Sequence, residues 1–116
     1  MQLNHVDLSV PDLDAAVAFF EQGFGFKVVS RFDDMRILVG EGPFVLALTR
    51  CAEPHYPASF HIGFLQTSPE AVTEAYQRLL ALGIAIAAPP ASKYGAFIFH
   101  CQVPGGIQVE VAFRPG

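Results

Sequence analysis

The chain has 116 residues, which is enough for one domain with a substantial core and too few for two ordinary domains. Hydrophobic residues make up 52% of the chain and charged residues only 16%, which excludes a disordered protein and indicates extensive buried strand surface. The net charge of −4, the scattered Lys and Arg residues and the lack of a long apolar run argue against nucleic acid and membranes as partners.

The first half of the sequence predicts a strand, a helix and three further strands. Residues 3–10 alternate between apolar and polar side chains, as a half-buried strand does. Pro11 and Asp12 then open a helix, either Asp12 or Asp14 can cap its N-terminus, and Gly25 ends it. Further strands are predicted at residues 26–29, 35–39 and 44–49, the last two joined by a turn containing glycine and proline.

The second half repeats this order. A strand at residues 60–65 is followed by a helix that starts at Ser68 and Pro69 and stops at Gly83. Strands are then predicted at residues 84–86, 96–103 and 107–113. The chain is therefore a βαβββ unit written twice, with module 1 at about 1–50, a proline-containing linker at about 51–58 and module 2 at about 59–116.

Neither module is large enough to close a core by itself, so we expect the two to form a single domain over residues 1–116. A pseudo-twofold axis between them would make corresponding strand positions face each other across one cupped, mixed β-sheet. The predicted fold class is therefore α+β. The high apolar content also predicts a homodimer, and an exchange of modules between its two chains stays open.

Three residues predict a divalent-metal site. His5 and His61 occupy matching places in the first strand of each module, and Glu110 lies between two valines in the last strand. Two imidazoles and one carboxylate suit Zn, Mn, Fe, Co or Ni. Taken singly, each histidine is more often a packed or surface residue, and the glutamate could face solvent. The coincidence of the three under the repeat favours the metal site.

The same repeat identifies two candidate catalytic residues. Alignment of the two halves sets Ala47 against Glu110, so the site is expected to have three protein ligands. Asp7 lies two residues from His5 and shares its face, which makes it either a proton-transfer group or an acid at the pocket mouth. His100 is the counterpart of Ile37, and it faces either the cavity or solvent.

The remaining candidates have simpler alternatives. A substrate pocket is predicted to be lined by several aromatic residues and a methionine, for which core packing is the simpler alternative. Cys51 and Cys101 are expected to be free thiols, with a disulfide as the less supported option, and the cytoplasm is the expected compartment. The predicted pocket residues are Phe20, Phe32, Met35, Phe44 and Tyr94.

The sequence resembles the glyoxalase/bleomycin resistance/dioxygenase superfamily, also called the vicinal-oxygen-chelate fold. The resemblance covers nearly the whole chain, and it implies that His5, His61 and Glu110 correspond to the metal ligands of the family. Ala47 stands where glyoxalase I has a glutamate, which counts against that activity. The resemblance rests on Leu3-Asn4-His5-Val6, Phe24-Gly25-Phe26, Phe60-His61-Ile62-Gly63-Phe64, Leu82-Gly83-Ile84 and Pro104-Gly105-Gly106-Ile107-Gln108-Val109-Glu110.

Two functions follow as expectations. The first is a metal-dependent enzyme, of lyase, isomerase or thiol-transferase type, that acts on a small oxygen-rich substrate chelated to the metal. The second is a metal-free protein that binds a small molecule, as the bleomycin-resistance branch of the superfamily does. The complete ligand set favours the enzyme, although the fold alone does not decide between the two.

Overall fold

The structure, a computed structural model, describes residues 1–115 and divides into two compact units, the first being Met1–His55 and the second beginning at Tyr56. Each unit has the βαβββ order predicted from the sequence. The first unit contains β1 (His5–Val10), α1 (Leu13–Phe24), β2 (Lys27–Phe32), β3 (Met35–Val39) and β4 (Val45–Arg50). The second contains β5 (His61–Leu65), α2 (Pro69–Ala81), β6 (Ala91–Lys93), β7 (Ala96–Val103) and β8 (Ile107–Phe113).

Of the two capping candidates for α1, Asp12 is the N-cap, and α2 begins at its predicted cap, Ser68. The Asp12 carboxylate accepts a hydrogen bond from the backbone N–H of Ala15 at 3.1 Å, and the Ser68 hydroxyl accepts one from the N–H of Ala71 at 3.1 Å. These bonds satisfy N–H groups that the first turn of a helix leaves without an intrahelical partner. Helix α1 ends at Gly25, whose φ of 73° lies in the left-handed region where glycine has no Cβ penalty.

The strands are hydrogen-bonded as two four-stranded mixed sheets, one in each unit. The order is β1-β4-β3-β2 in the first sheet and β5-β8-β7-β6 in the second, and in each sheet the first two strands are parallel while the others are antiparallel. A parallel pair requires a long crossover connection. In each unit the helix and the strands that follow it provide that crossover.

The register of the two sheets confirms the correspondence drawn from the repeat. In the first sheet Ala47 lies between Asp7 on β1 and Ile37 on β3. In the second sheet Glu110 lies between Gly63 on β5 and His100 on β7. Ala47 is therefore the counterpart of Glu110, and Ile37 is the counterpart of His100.

Each helix packs on one face of its own sheet and forms the core there. In the first unit the rings of Phe19, Phe20, Phe24 and Phe26 form one aromatic cluster, with centroids between 5.1 and 6.1 Å apart. The cluster packs in a core that contains fully buried Leu8, Leu46 and Leu48. In the second unit the core includes Val72, Leu79, Val109 and Val111, and the ring of Tyr76 meets that of Phe99 edge-on at 5.5 Å.

One predicted strand is wrong. Residues 84–86 have no regular structure, and the strand that pairs with β7 is β6, five residues beyond the predicted segment. Proline has no N–H to donate to a strand ladder, and Pro89 and Pro90 lie directly before β6. The ladder therefore begins only at Ala91.

Among residues 1–115, no helix is long and apolar enough to cross a membrane. The two helices span 12 and 13 residues, whereas a spanning helix requires about 20.

Candidate metal and proton-transfer site

Glu110 is the centre of a polar cluster on the second sheet. Its side chain is 13% exposed, while Val109 and Val111 point to the opposite, helix-covered face and are fully buried. The carboxylate oxygen Oε1 lies 3.4 Å from Nε2 of His100 and 4.0 Å from Nε2 of His61. The other oxygen, Oε2, accepts a hydrogen bond from Nη2 of Arg114 at 3.2 Å.

Strand pairing brings these side chains together from distant parts of the sequence. The antiparallel pairing of β7 with β8 sets His100 directly opposite Glu110. The parallel pairing of β5 with β8 sets Gly63 opposite Glu110 on the other side, and His61 lies two residues before Gly63 on the same face of β5. Because Gly63 has no side chain, nothing from that position competes with His61 for the space beside the carboxylate.

A backbone carbonyl orients the imidazole of His61. Nδ1 of His61 lies 2.9 Å from the carbonyl oxygen of Ser59, and because a carbonyl only accepts, the proton of the neutral ring lies on Nδ1. Nε2 then presents a lone pair towards Oε1 of Glu110. Metal-binding histidines are typically held in this way, with the other ring nitrogen donating to a carbonyl.

The pair formed by His61 and Glu110 fits a divalent metal ion. Nε2 and Oε1 are both electron-rich atoms in this tautomer, and their 4.0 Å separation is too long for a hydrogen bond. Two ligands that each lie about 2.0–2.2 Å from a shared ion are separated by roughly 3–4 Å. Imidazole nitrogen with carboxylate oxygen is also the donor set that Zn, Mn, Fe, Co and Ni accept.

His100 has a different relation to the carboxylate. Its Nε2 donates a hydrogen bond to Oε1 of Glu110 at 3.4 Å, since the ionised carboxylate only accepts. The side chain of His100 is 34% exposed, so solvent or a bound molecule can reach the ring. His100 therefore holds a proton directly beside the pair formed by His61 and Glu110.

The first unit has a histidine and an acid on the face of its own sheet that corresponds, by register, to the Glu110 face of the second sheet. His5 and Asp7 are both exposed on β1. Oδ1 of Asp7 accepts a hydrogen bond from the Thr49 hydroxyl at 2.8 Å, which leaves Oδ2 as a further acceptor. No group of three or more His, Cys, Asp or Glu side chains that could hold a metal ion is assembled within the described residues 1–115.

The predicted pocket residues lie in dissimilar surroundings. Phe20 is fully buried and belongs to the aromatic core of the first unit. Phe32 is 60% exposed at the end of β2, where it pairs with the half-buried Met35 at the start of β3, and Phe44 is half-buried just before β4. Tyr94 is 85% exposed in the turn between β6 and β7, with a φ of 51°.

Both cysteines are free thiols. Cys101 is buried on β7, and its burial raises the pKa of the thiol from 9.0 to about 11. Cys51 is half-buried at the end of the first sheet.

Arg114 is the member of the cluster that sequence reasoning missed. It follows the last strand and lies four residues after Glu110, so positions 110, 112 and 114 share a face in extended chain. The alternation of side chains along the strand could therefore have predicted that Arg114 lies on the same face as Glu110. A long cationic side chain on the same face as an acid in a mostly apolar strand is a natural partner for the acid.

The fold and the cluster define a class: a two-module α+β protein with an imidazole–carboxylate site on the sheet of its second module. The profile of the Glyoxalase/Bleomycin resistance protein/Dioxygenase superfamily matches residues 2–111. The chain belongs to this superfamily.

Three similar proteins accompany that match. An uncharacterized protein of Pseudomonas aeruginosa is 30% identical over 123 residues, covering 96% of this chain and 87% of the relative. The solved structure of a possible glyoxalase from Bacillus cereus is 36% identical, with a TM-score of 0.84 over 96% of this chain and 97% of the other. A lactoylglutathione lyase from Agrobacterium tumefaciens, at 22% identity, has a TM-score of 0.79 over 97% and 92% of the two chains, a likeness of fold alone.

Proposed function

We propose that this chain is a metal-dependent enzyme that acts on a small, oxygen-rich substrate, with His5, His61 and Glu110 as the protein ligands of a divalent ion. The observation that carries the proposal is the 4.0 Å separation, without a hydrogen bond, between Nε2 of His61 and Oε1 of Glu110, two atoms that are both electron-rich when the imidazole is neutral. A cation between them would relieve that opposition. Zn, Mn, Fe, Co and Ni all suit these donors.

When bound, the ion would supply Lewis-acid polarisation of a substrate carbonyl, enolate or phosphonate oxygen. The residues of the chain then have separate tasks. His100 holds a proton at Nε2 beside Glu110, which suits it to donate that proton to a substrate oxygen. Asp7, oriented through Oδ1 by the Thr49 hydroxyl, keeps Oδ2 to accept a proton.

Lyase, isomerase and thiol-transferase chemistry are the reaction types that this set of groups can perform. All three need an activated oxygen and a proton carrier, and none needs a nucleophilic side chain. The small, buried Ala47 at the counterpart of Glu110 implies three protein ligands rather than four. The set of ligands therefore differs from the one expected for glyoxalase I, and a different substrate is proposed.

We also propose that the protein acts as a homodimer. The apolar fraction of 52% and the exposed Val29 and Phe32 on β2, an edge strand of the first sheet, support this assembly. Sedimentation at micromolar concentration is expected to give twice the chain mass. A monomer at that concentration contradicts the proposal.

The second candidate is a metal-free small-molecule binding protein of the bleomycin-resistance type. One observation favours it: the Glu110 carboxylate already has Arg114 and His100 as partners, so its charge is compensated without an ion. Apolar Ile98 and Ala112 adjoin the cluster on the same face. In this function the polar groups would line a ligand cavity.

Elemental analysis of untagged protein is the first experiment, followed by thermal melting with and without a chelator. The enzyme proposal predicts about one equivalent of a divalent metal and a lower melting temperature with chelator, because an ion that binds only the folded state stabilises it by about 2.7 kcal/mol at 100 times its Kd. Glu110→Gln is expected to abolish the response, and His55→Ala, an exposed residue outside the site, is the matched control.

Two outcomes would reverse the choice. Wild-type melting that is indifferent both to chelator and to added Zn, Mn, Fe, Co and Ni favours the binding-protein candidate. A chelator response that survives in Glu110→Gln places the metal elsewhere in the chain.

A further inference from the structure

The two oxygens of Glu110 have different partners. Oε1 faces the Nε2 atoms of His61 and His100, and Oε2 accepts the hydrogen bond from Arg114. A free carboxylate turns about its last side-chain torsion, so its plane takes a broad range of directions. In this site the plane is restricted, because one oxygen is held by Arg114 while the other faces the two imidazoles.

Arg114 can hold Oε2 because of where it stands on the sheet. Residues i and i+4 of an extended chain lie roughly 13 Å apart, so the two side chains must reach towards each other along the strand. Between them on the same face is Ala112, which is fully buried and too short to interrupt the pair. The Arg114 side chain is 49% exposed, so burial alone does not hold it over the strand.

We propose that Arg114 is a positioning residue: by occupying Oε2 it turns Oε1 towards His61 and His100 and makes Glu110 a ligand through one oxygen. This inference rests on the proposed function where it concerns a metal. The geometric part, which is the orientation of the carboxylate, concerns the metal-free protein and stands independently.

A carboxylate restricted to one oxygen also selects among metal ions. Calcium takes six to eight oxygen ligands and often binds both oxygens of one carboxylate. Zinc and cobalt accept imidazole together with a single carboxylate oxygen. Arg114 is therefore expected to disfavour calcium and favour the smaller, nitrogen-seeking ions.

The orientation is tested in metal-free protein by nitrogen-detected NMR of the histidine rings. Arg114→Gln is expected to shift the Nε2 signals of His61 and His100, because Oε1 loses its fixed direction. The matched control is Arg50→Gln, which removes an arginine–carboxylate pair with Asp34 in the other unit and is expected to leave both signals unchanged. Unchanged signals in Arg114→Gln overturn the proposal whether or not metal binds.

Metal affinity is measured by titration with cobalt, zinc and calcium, using folded variants checked by circular dichroism. Arg114→Gln is expected to weaken cobalt and zinc binding by about 10- to 100-fold, as loss of other groups that orient metal ligands does, and to raise the relative affinity for calcium. Arg114→Lys is expected to recover part of the loss. Tighter cobalt binding in Arg114→Gln means that the guanidinium merely repels the ion and overturns the positioning role.

The failure of the proposed function has a separate signature. If wild type binds none of the three ions while the NMR shifts occur as expected, Arg114 orients Glu110 and the metal-dependent function is wrong. If wild type binds cobalt with unchanged affinity in Arg114→Gln, the metal site stands and the inference about Arg114 is wrong.

Discussion

The two sheets of this protein have the same strand register, but they have different residues at the corresponding positions. The first sheet carries Ala47 between Asp7 and Ile37, and the second carries Glu110 between Gly63 and His100. The acid therefore lies on an edge strand in one module and on an inner strand in the other.

The difference shows that the two modules, although they share one fold, surround the corresponding position with different partners. A carboxylate on an inner strand needs partners on its neighbours, and the second module supplies them from His100, His61 and Arg114. The position in the first module that corresponds to Arg114 is Cys51, which has no charge to offer. The first module therefore keeps a small apolar residue at the inner position and its acid, Asp7, at the exposed edge.

The largest expected effect comes from placing a glutamate in the first module, at the position that corresponds to Glu110. In metal-free protein, Ala47→Glu would bury a carboxylate at a position that is 2% exposed, beside the like charge of Asp7. An uncompensated buried charge costs about 3 kcal/mol or more. Urea unfolding is expected to show a loss of this size.

Two further variants sharpen that result. Asp7→Gly in the Ala47→Glu background copies Gly63 of the second module and removes the like charge, so it is expected to recover part of the stability. Ala52→Glu, at an exposed position, is the control and is expected to change little. If Ala47→Glu is as stable as wild type, a carboxylate at this inner position is tolerated without the partners that Glu110 has in the second module.

The next largest effect concerns a pair of packed positions at which the two modules have side chains of different size. A Cβ on Gly40 would lie 2.7 Å from Cε1 and 2.9 Å from Cζ of Phe26, whose ring is buried and packs against Phe20 at a centroid distance of 5.6 Å. In the second module Val103 corresponds to Gly40 and Ile84 corresponds to Phe26. A larger residue thus replaces the glycine, and a smaller one replaces the phenylalanine.

Gly40→Ala is therefore expected to destabilise the protein by about 1–3 kcal/mol, measured by urea unfolding, because overpacking forces the ring to shift. Phe26→Ile reduces the ring to the size found in the second module. The double variant should lose less stability than the sum of the two single variants, and strict additivity would show that the ring and Gly40 do not compete for space.

A smaller and more symmetrical effect is expected at the helix starts. Asp12→Ala and Ser68→Ala each remove one capping hydrogen bond of 3.1 Å, and each is expected to cost about 1 kcal/mol in thermal or urea unfolding. Asp14→Ala and Glu70→Ala, which remove an acid from the first turn without touching the cap, should cost less. Equal losses in all four variants would contradict the role of the caps.

The smallest effect at neutral pH concerns the thiols. Because burial raises the pKa of Cys101 to about 11, folding favours its protonated form. That contribution to stability is complete below about pH 9 and is lost as the pH rises through 11. A thiol reagent at pH 8 is expected to label Cys51 first and Cys101 only on unfolding. Rapid labelling of both in folded protein would contradict the burial of Cys101.

Much of the fold could be predicted because its determinants are local. The apolar periodicity, the capping residues and the turn glycines lie within a few residues of the elements they define, so the doubled βαβββ order was predictable. The prediction of a strand at residues 84–86 was wrong, although the apolar residues there fit a strand pattern. A strand also needs a pairing partner, and pairing with β7 begins only at Ala91, after Pro90.

The candidate site divides along the same line. The sequence alone determined that His5 and His61 are repeat partners and that Ala47 matches Glu110, because a repeat carries its register with it. Only the tertiary structure decided that His100 and His61 face one oxygen of Glu110 while Arg114 holds the other. Those distances depend on cross-strand pairing between residues far apart in the chain, and on side-chain torsions that no local pattern encodes.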